Sequence, residues 1–164
     1  MRHRSIAVLS VLIATGILAG IAVAQNPHFV GRVTAALDGA NAVVSFKEAG
    51  LGNDQNVTYE ASAFASAEYV CVNQGGQCPD AANKQQVQGP VTAVGTFSSG
   101  QNGQVVASLT LQPPPAPPFC PGGQTQVLAN VTYSNIQLTD MTNGVTASAV
   151  PSTLSATFFV CPAP

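Results

Sequence analysis

Few residues of this 164-residue chain could carry out nucleophilic catalysis. Serine and cysteine hydrolases need a base beside the nucleophile, and that base is usually histidine. Once the N-terminal leader described below is removed, His28 is the only histidine left. It lies close to the new N-terminus, where chains are usually held loosely, and the sequence has no G-x-S-x-G elbow. A hydrolase of this type is therefore not favoured.

Two glutamates could act on glycosides if their carboxylates faced each other across a cleft. Glu60 and Glu68 have the same parity in a long extended run, on the side opposite Tyr59 and Tyr69. In one continuous strand, this spacing would separate them by roughly 26 Å, far beyond catalytic range. We therefore interpret both as solvated side chains on a surface.

Oxygen and sulfur ligands for a metal ion are also sparse. Residues 53–56, Asn-Asp-Gln-Asn, offer one carboxylate and several amides for calcium. Asp38 or Asp140 could join them only through folding, so a plain polar loop is favoured. Zinc would need CxxC-like cysteine spacing and usually histidine. We predict no metal and no cofactor.

The chain has four cysteines: Cys71, Cys78, Cys120 and Cys161. An even number in an exported chain predicts disulfides, for which three pairings are possible. We favour Cys71–Cys78, which would close a small loop around Gly75-Gly76. Cys120–Cys161 would then tie the C-terminal strand to the end of a proline-rich segment.

Several residues could bind a partner. If a disulfide closes it, the Gly75-Gly76 loop would be preorganised, as in secreted protease inhibitors. The proline-rich residues 113–118 could be a stiff recognition strip. Sugar sites on β-sandwiches combine aromatic faces with amides and hydroxyls, and the candidates here are Tyr59, Tyr69 and Tyr133. All three share parity with core-like residues, so burial is the favoured interpretation.

The N-terminus has the pattern of a signal peptide. A short basic start, residues 1–5, precedes the uncharged run 6–24, which ends in Ala22-Val23-Ala24. We predict cleavage after Ala24, leaving residues 25–164 as a single disulfide-stapled β-domain. Because the run approaches the roughly 20 residues that span a bilayer, an uncleaved membrane anchor is the alternative.

Removal of the leader changes the charge of the chain. The net charge of −2 becomes −4, because three cations and seven acids remain. This sign does not suit binding to nucleic acid or to anionic membranes. Charged residues are far below the roughly 25% of ordinary soluble domains, so solubility must come from Ser, Thr, Asn and Gln. Stability is expected to depend little on pH, since few groups titrate.

Apolar and polar residues alternate with period two along most of the chain, and helical periodicity is almost absent. Residues 29–47 form a predicted hairpin with a turn at Asp38-Gly39. Residues 85–111 form another, with the turn at Asn102-Gly103. The pattern predicts about seven to nine strands, which favours an all-β antiparallel β-sandwich, immunoglobulin-like in the broad sense, with a β-barrel as the alternative.

Two irregularities are expected within this pattern. The run 56–73 is too long for an ordinary strand. A break or bulge within residues 61–67 is therefore predicted, with one helical turn as the alternative because alanine favours helix. Apolar parity switches after Tyr133, which predicts a bulge near Ser134-Asn135.

Several short stretches resemble one group of proteins. They are YVCVN (69–73), GG (75–76), GPVTA (89–93), GTFSSGQNGQ (95–104), SLTL (108–111) and CPGGQ (120–124). Together they resemble small exported β-proteins of filamentous soil bacteria and fungi, over roughly residues 56–145. The resemblance implies export and a compact β-fold. It implies no activity, catalytic residue, ligand or partner.

We therefore expect a secreted, non-enzymatic β-sandwich that binds surfaces or has a structural role in the extracellular space or envelope. Its partner would be an extracellular protein or polysaccharide, with no nucleic acid and no membrane after cleavage. The alternatives are a secreted protease inhibitor using the 71–78 loop, a carbohydrate-binding module, and an enzyme of unrecognised type. The candidate binding residues are Gly75, Gly76, Tyr69 and Tyr133.

Overall fold

A computed structural model of the chain describes residues 26–78 and 84–161. This part forms β-strands and no helix, as predicted. The strands are β1 His28–Phe29, β2 Thr34–Asp38, β3 Asn41–Ala49, β4 Asn56–Val72, β5 Lys84–Ser98, β6 Val105–Leu111, β7 Thr125–Asp140, β8 Val145–Ser148 and β9 Leu154–Thr157. Within these residues, no helix could cross a membrane. The predicted leader and its cleavage point lie outside the described residues.

The strands form two antiparallel sheets that pack against each other. In the four-stranded sheet, β3 is central, with β6 on one side and β1 and β2 along the other. In the five-stranded sheet the order is β5-β4-β7, and β8 and β9 pair with the far side of β7. The predicted antiparallel β-sandwich is confirmed, and the sheets do not close into a barrel.

The hairpin predicted for residues 29–47 is confirmed by β2 and β3, but the one predicted for residues 85–111 is wrong. β5 pairs with β4 and β6 pairs with β3, so the turn at Asn102-Gly103 leads from one sheet to the other. Both strands still turn their apolar side to the core, and alternation alone does not tell such a crossing from a hairpin.

The core lies between the sheets because alternate residues of each strand point inward. In β4, the buried positions run from Val57 to Ala67 at every second residue. Phe46 of β3 and Tyr59 of β4 meet across the sandwich with ring centroids 4.5 Å apart. Phe97 of β5 packs on both, at 6.2 and 6.0 Å. This aromatic cluster joins the two sheets at one end.

The long strand β4 is continuous, so no break and no helical turn interrupts residues 61–67. The bulge that was the other form of this prediction lies at this level, but its extra residue is on the partner strand β7. Ser62 pairs with Gln137 but Phe64 pairs with Ser134, which leaves an extra residue on β7. Asn135 has a φ of 54° at this point, so the bulge predicted near Ser134-Asn135 is confirmed. A second register shift lies between Glu68 and Tyr69.

All four cysteines form disulfides, but the favoured pairing is wrong. Cys71 is bonded to Cys120, with a Cα–Cα distance of 5.5 Å, and Cys78 is bonded to Cys161 at 5.6 Å. The path of the proline-rich segment explains the first bond. Gln126 of β7 pairs with Cys71, and its side chain also bonds the backbone of this segment just before Cys120.

Strand β5 is a long sheet edge. It pairs with β4 along 15 residues, and no described strand pairs with its other side. Pro90 lies near its middle, opposite Phe64. Proline is tolerated in such a strand when its missing N–H faces the free edge. Pro90 therefore interrupts the row of donors that another strand would need to pair with β5.

Replacing Pro90 should expose this edge to other chains. We expect Pro90→Thr to associate with increasing concentration, because threonine restores the missing donor and favours strand structure. Sedimentation velocity over a concentration series measures the association. Pro115→Thr is the matched control, since Pro115 is exposed but lies outside the sheets. If both variants sediment like the wild type at every concentration, Pro90 has no protective role.

Candidate functional site

The outer face of the five-stranded sheet is covered mainly by uncharged polar side chains. We call it the polar face. The inner positions of these strands are apolar and packed in the core, so the alternate positions face solvent. Its hydroxyl and amide residues are Asn56, Thr58, Ser62, Ser66, Gln86, Gln88, Thr92, Thr96, Ser98, Asn130, Thr132, Ser134, Gln137, Thr139, Thr146, Ser148, Ser155 and Thr157.

The strand register aligns these side chains in rows that cross the sheet. Cross-strand neighbours in antiparallel sheets have Cβ atoms about 5 Å apart, so the side chains of a row can touch. Two such rows cross four strands each. They are Thr92-Ser62-Gln137-Ser148 and Gln88-Ser66-Thr132-Ser155.

Hydrogen bonds within the polar face hold several side chains in place. The hydroxyls of Thr58 and Thr96 are 2.9 Å apart, and those of Thr139 and Thr146 are 3.1 Å apart. The amide of Gln86 donates to the Ser66 hydroxyl at 2.8 Å. These hydrogen bonds restrict the side-chain rotamers, so contact with another molecule would cost little further entropy at these positions.

Phe64 is an exposed aromatic ring in the middle of the polar face. It lies between the two rows, with Pro90 on one side and Ser134 on the other. Its side chain is 45% exposed, although a phenylalanine is usually buried. Pro90 beside it is also exposed. The two residues form a small apolar platform surrounded by hydroxyl and amide groups.

The charged residues of the polar face do not form a catalytic pair. Glu60 and Glu68 are eight residues apart on the continuous strand β4, as the sequence predicted for solvated side chains. Glu68 accepts a hydrogen bond from the amide of Asn130. Asp54 and Asp38 are exposed in other parts of the sandwich. The fold brings neither of them into a group with these glutamates.

The tyrosines predicted as binding residues use their hydroxyls inside the protein. Tyr133 is completely buried, and its hydroxyl donates to the backbone oxygens of Ala40, at 2.8 Å, and Leu111, at 3.3 Å. Burial raises the pKa of Tyr133 to about 12. Tyr69 is half-buried and donates to the oxygen of Pro114 at 3.0 Å; burial raises its pKa too. Tyr133 is therefore out of reach of a ligand.

The loop between Cys71 and Cys78 is a tight turn with Gly75 and Gly76 exposed at its tip. The side-chain oxygen of Asn73 accepts the N–H groups of Gly75 and Gln77, at 3.0 and 2.9 Å. The backbone N–H of Asn73 donates to the Gln77 oxygen at 2.9 Å. Hydrogen bonds close this loop, and each disulfide beside it leads to a distant segment. It does not present the extended backbone that strand-like recognition requires.

The proline-rich segment packs partly against the sandwich. Pro114 is buried against the sandwich, whereas Pro115, Pro117 and Pro118 are exposed. Between this segment and the edge of β5 lies an open depression of about 390 Å³, lined by Val91, Thr92, Thr110, Gln112 and Pro113–Pro115. Its walls carry no titratable group, so it offers binding surface but no acid or base.

A second cluster of polar residues lies inside the sandwich, where Glu48 of β3 faces Tyr59 of β4 and Asp140 of β7. All three are completely buried. Asp140 accepts hydrogen bonds from the N–H groups of Thr142 and Asn143, at 2.8 and 2.9 Å, and from the Asn143 amide at 2.6 Å. Neither oxygen of Glu48, nor the Tyr59 hydroxyl, has a hydrogen-bond partner among the described residues.

This environment changes the titration of Glu48. Burial raises the pKa of Glu48 to about 7, and the nearby negative charge of Asp140 raises it further, while Tyr59 and His28 act in the opposite direction. The Tyr59 hydroxyl is thus close enough to affect the carboxyl without making a hydrogen bond of normal geometry. Burial, followed by the neighbouring Glu48, also raises the pKa of Tyr59 well above its usual range.

The buried cluster affects the stability of the fold through the charge of its carboxyls. It cannot contact a substrate in this structure, because no part of Glu48 or Asp140 is exposed. Among the residues described, no group of three or more His, Cys, Asp or Glu side chains is arranged to hold a metal ion. The sequence contained a sign of this cluster. Glu48 continues the parity of Ala42, Val44 and Phe46, which the alternation places in the core.

Comparisons of the chain with protein-family models, with curated proteins and with solved structures gave no match.

Proposed function

We propose that this chain is an exported, non-enzymatic β-sandwich that binds extracellular surfaces through its polar face. The two disulfides are typical of proteins that work in an oxidising compartment. The leader sequence, with cleavage after Ala24, supports the same location. An immunoglobulin-like relationship, in the broad sense of two packed antiparallel sheets, is part of this proposal.

The observation that carries the proposal is the composition of the polar face. Its rows of hydroxyls and amides cross the sheet in register. Strands of 15 to 17 residues make it long. Such a surface offers many donors and acceptors to a partner with a repeating polar structure, and each net hydrogen bond contributes about 0.5–1.5 kcal/mol. An extended polymer or matrix suits this surface better than a small ligand, which usually occupies a concave pocket.

The binding should depend weakly on salt, because the polar face has few charges. We expect the mature chain to sediment with insoluble cell-wall material and to stay bound when salt rises from about 0.05 to 1 M. Binding driven by the net charge of −4 would instead decline steeply as the salt concentration rises. The bound fraction, measured by absorbance of the supernatant, distinguishes these cases. A protein that stays in solution with every cell-wall and matrix material rules out the proposal.

The protease-inhibitor alternative has weaker support. It needs the 71–78 loop to enter a protease cleft as an extended segment, and Asn73 holds that loop in a tight turn. Assays against a panel of secreted proteases test it. If the wild type inhibits a protease and a variant with both Gly75→Val and Gly76→Val does not, the loop is the functional site.

A further inference from the structure

We propose that Phe64 and Pro90 form a stacking platform for the sugar rings of a neutral polysaccharide. This inference rests on the proposed function and names the class of surface that the polar face binds. A sugar ring has C–H groups on its faces and hydroxyls around its rim. A site for it therefore needs an exposed apolar plane surrounded by hydrogen-bonding groups.

The register places these groups together. Phe64 and Pro90 are paired across β4 and β5, so their Cβ atoms are about 5 Å apart. Positions two residues away along each strand lie about 7 Å from them on the same face. Those positions are occupied by Ser62, Ser66, Gln88 and Thr92. A ring stacked on the platform would have hydroxyl and amide groups on both sides along the strands.

The charges near the platform favour a neutral polymer. Glu60 and Glu68 lie four residues from Phe64 in each direction, at about 13 Å along the strand. Glycans rich in carboxylate or sulfate would therefore meet repulsion at both ends of the site. A neutral chain avoids this repulsion, and its hydroxyls can donate to the same carboxylates.

The polar face is a poor candidate for contact with a folded protein. Protein interfaces usually have an apolar and aromatic core, whereas the large apolar side chains of this face are few: Phe64, Pro90 and Val94. Their neighbours are Ser, Thr, Gln and Asn. A partner that supplies many hydroxyls and small apolar faces at regular intervals fits this composition better.

The chain supplies a matched pair of phenylalanines for the test. Phe64 is 45% exposed on the polar face, and Phe158 is 46% exposed on the segment after β9. Binding isotherms on particles of cellulose, chitin and insoluble β-1,3-glucan should show at least one neutral polymer that binds the wild type. On that polymer, we expect Phe64→Ala to bind about tenfold or more weakly, since stacking buries a large part of the ring.

The control variants separate stacking from other causes. Phe158→Ala should bind like the wild type, and Phe64→Trp should retain binding because it keeps an aromatic plane. Thermal unfolding of each variant checks that the fold is intact. If Phe64→Ala and Phe158→Ala lose binding equally, the protein adsorbs to the polymer without a specific site, and the inference is overturned.

The inference and the proposed function can fail separately. If wall material binds the wild type and Phe64→Ala equally well, the platform is wrong but the surface-binding proposal stands. If the protein binds cell-wall material but none of the three neutral polymers, the ligand class is wrong. If no material binds it at all, both proposals fall.

Discussion

Glu48→Gln is expected to remove most of the pH dependence of folding stability between pH 4.5 and 7. The carboxyl of Glu48 is completely buried without a hydrogen-bond partner in the described chain. Its pKa is about 7 in the folded state, against 4.5 as the ordinary value. The folded state therefore holds this proton more tightly than the unfolded state, and stability falls as the pH rises through this window.

The size of this effect follows from the two pKa values. The free energy of unfolding should fall by about 3 kcal/mol between pH 4.5 and 7, and level off above it because Glu48 is then ionised in both states. This differs from the weak pH dependence predicted from the low content of charged residues. A single buried acid can outweigh many missing surface charges, because burial disfavours its ionised form so strongly.

Urea unfolding at pH 4.5, 6 and 7.5 measures the prediction. Glutamine has nearly the same shape and never ionises, so Glu48→Gln should match the wild type at pH 4.5 and exceed its stability at pH 7.5. Glu60→Gln, on the polar face, is the control, and its free energy of unfolding should change with pH as that of the wild type does. If the free energy of unfolding changes equally with pH in the wild type and in Glu48→Gln, Glu48 does not titrate in this range.

Removing the Cys71–Cys120 disulfide should have an effect of similar size. The bond closes a loop of 49 residues, and the chain-entropy model gives about 4 kcal/mol for such a loop. We therefore expect Cys71→Ser with Cys120→Ser to unfold at much lower urea concentration. Ser134→Ala, which removes one side-chain hydrogen bond at 3.3 Å, should change the midpoint far less.

A single substitution tests the pairing itself. Cys71→Ser should leave Cys120 as a free thiol, which alkylation and peptide mass spectrometry can identify. The pairing favoured from the sequence would instead leave Cys78 free. Alkylation of Cys78 in this variant, with Cys120 still bonded, would contradict the observed arrangement.

The alternation of residue types predicted most of the fold, because period two directly reports which side of a strand is buried. It also located the bulge at Asn135, where the parity switches. The alternation did not show that β4 is one continuous strand, because its run looked too long for an ordinary strand. It also did not show that β5 and β6 belong to different sheets. The extra residues of the bulges are on β7, and an irregularity on a partner strand is not visible in the sequence of β4.

The features that the sequence did not reveal depend on contacts between distant segments. The Cys71–Cys120 disulfide follows from the hydrogen bonds that hold the proline-rich segment against Gln126 of β7. The polar face depends on the register of five strands, so the position of Phe64 between two rows cannot be read from the spacing within β4. The buried Glu48 is different, since its parity already placed it in the core.

Covering the outer face of each sheet in turn shows whether the protein binds surfaces through its polar face. Thr92 and Gln137 flank Ser62 on the polar face, and Thr34 and Ser108 flank Ser45 in the same way on the outer side of the four-stranded sheet. All four flanking side chains are exposed. Arginine at both positions of a pair covers one face and leaves the other unchanged.

The measurement is co-sedimentation of the two double variants with the insoluble material that retains the wild type. Thr92→Arg with Gln137→Arg should lose most of the binding, because two long charged side chains then cover the row around Ser62 beside Phe64. Thr34→Arg with Ser108→Arg should bind like the wild type. The opposite result, with binding lost only in the second variant, would place the functional surface on the four-stranded sheet and rule out binding through the polar face.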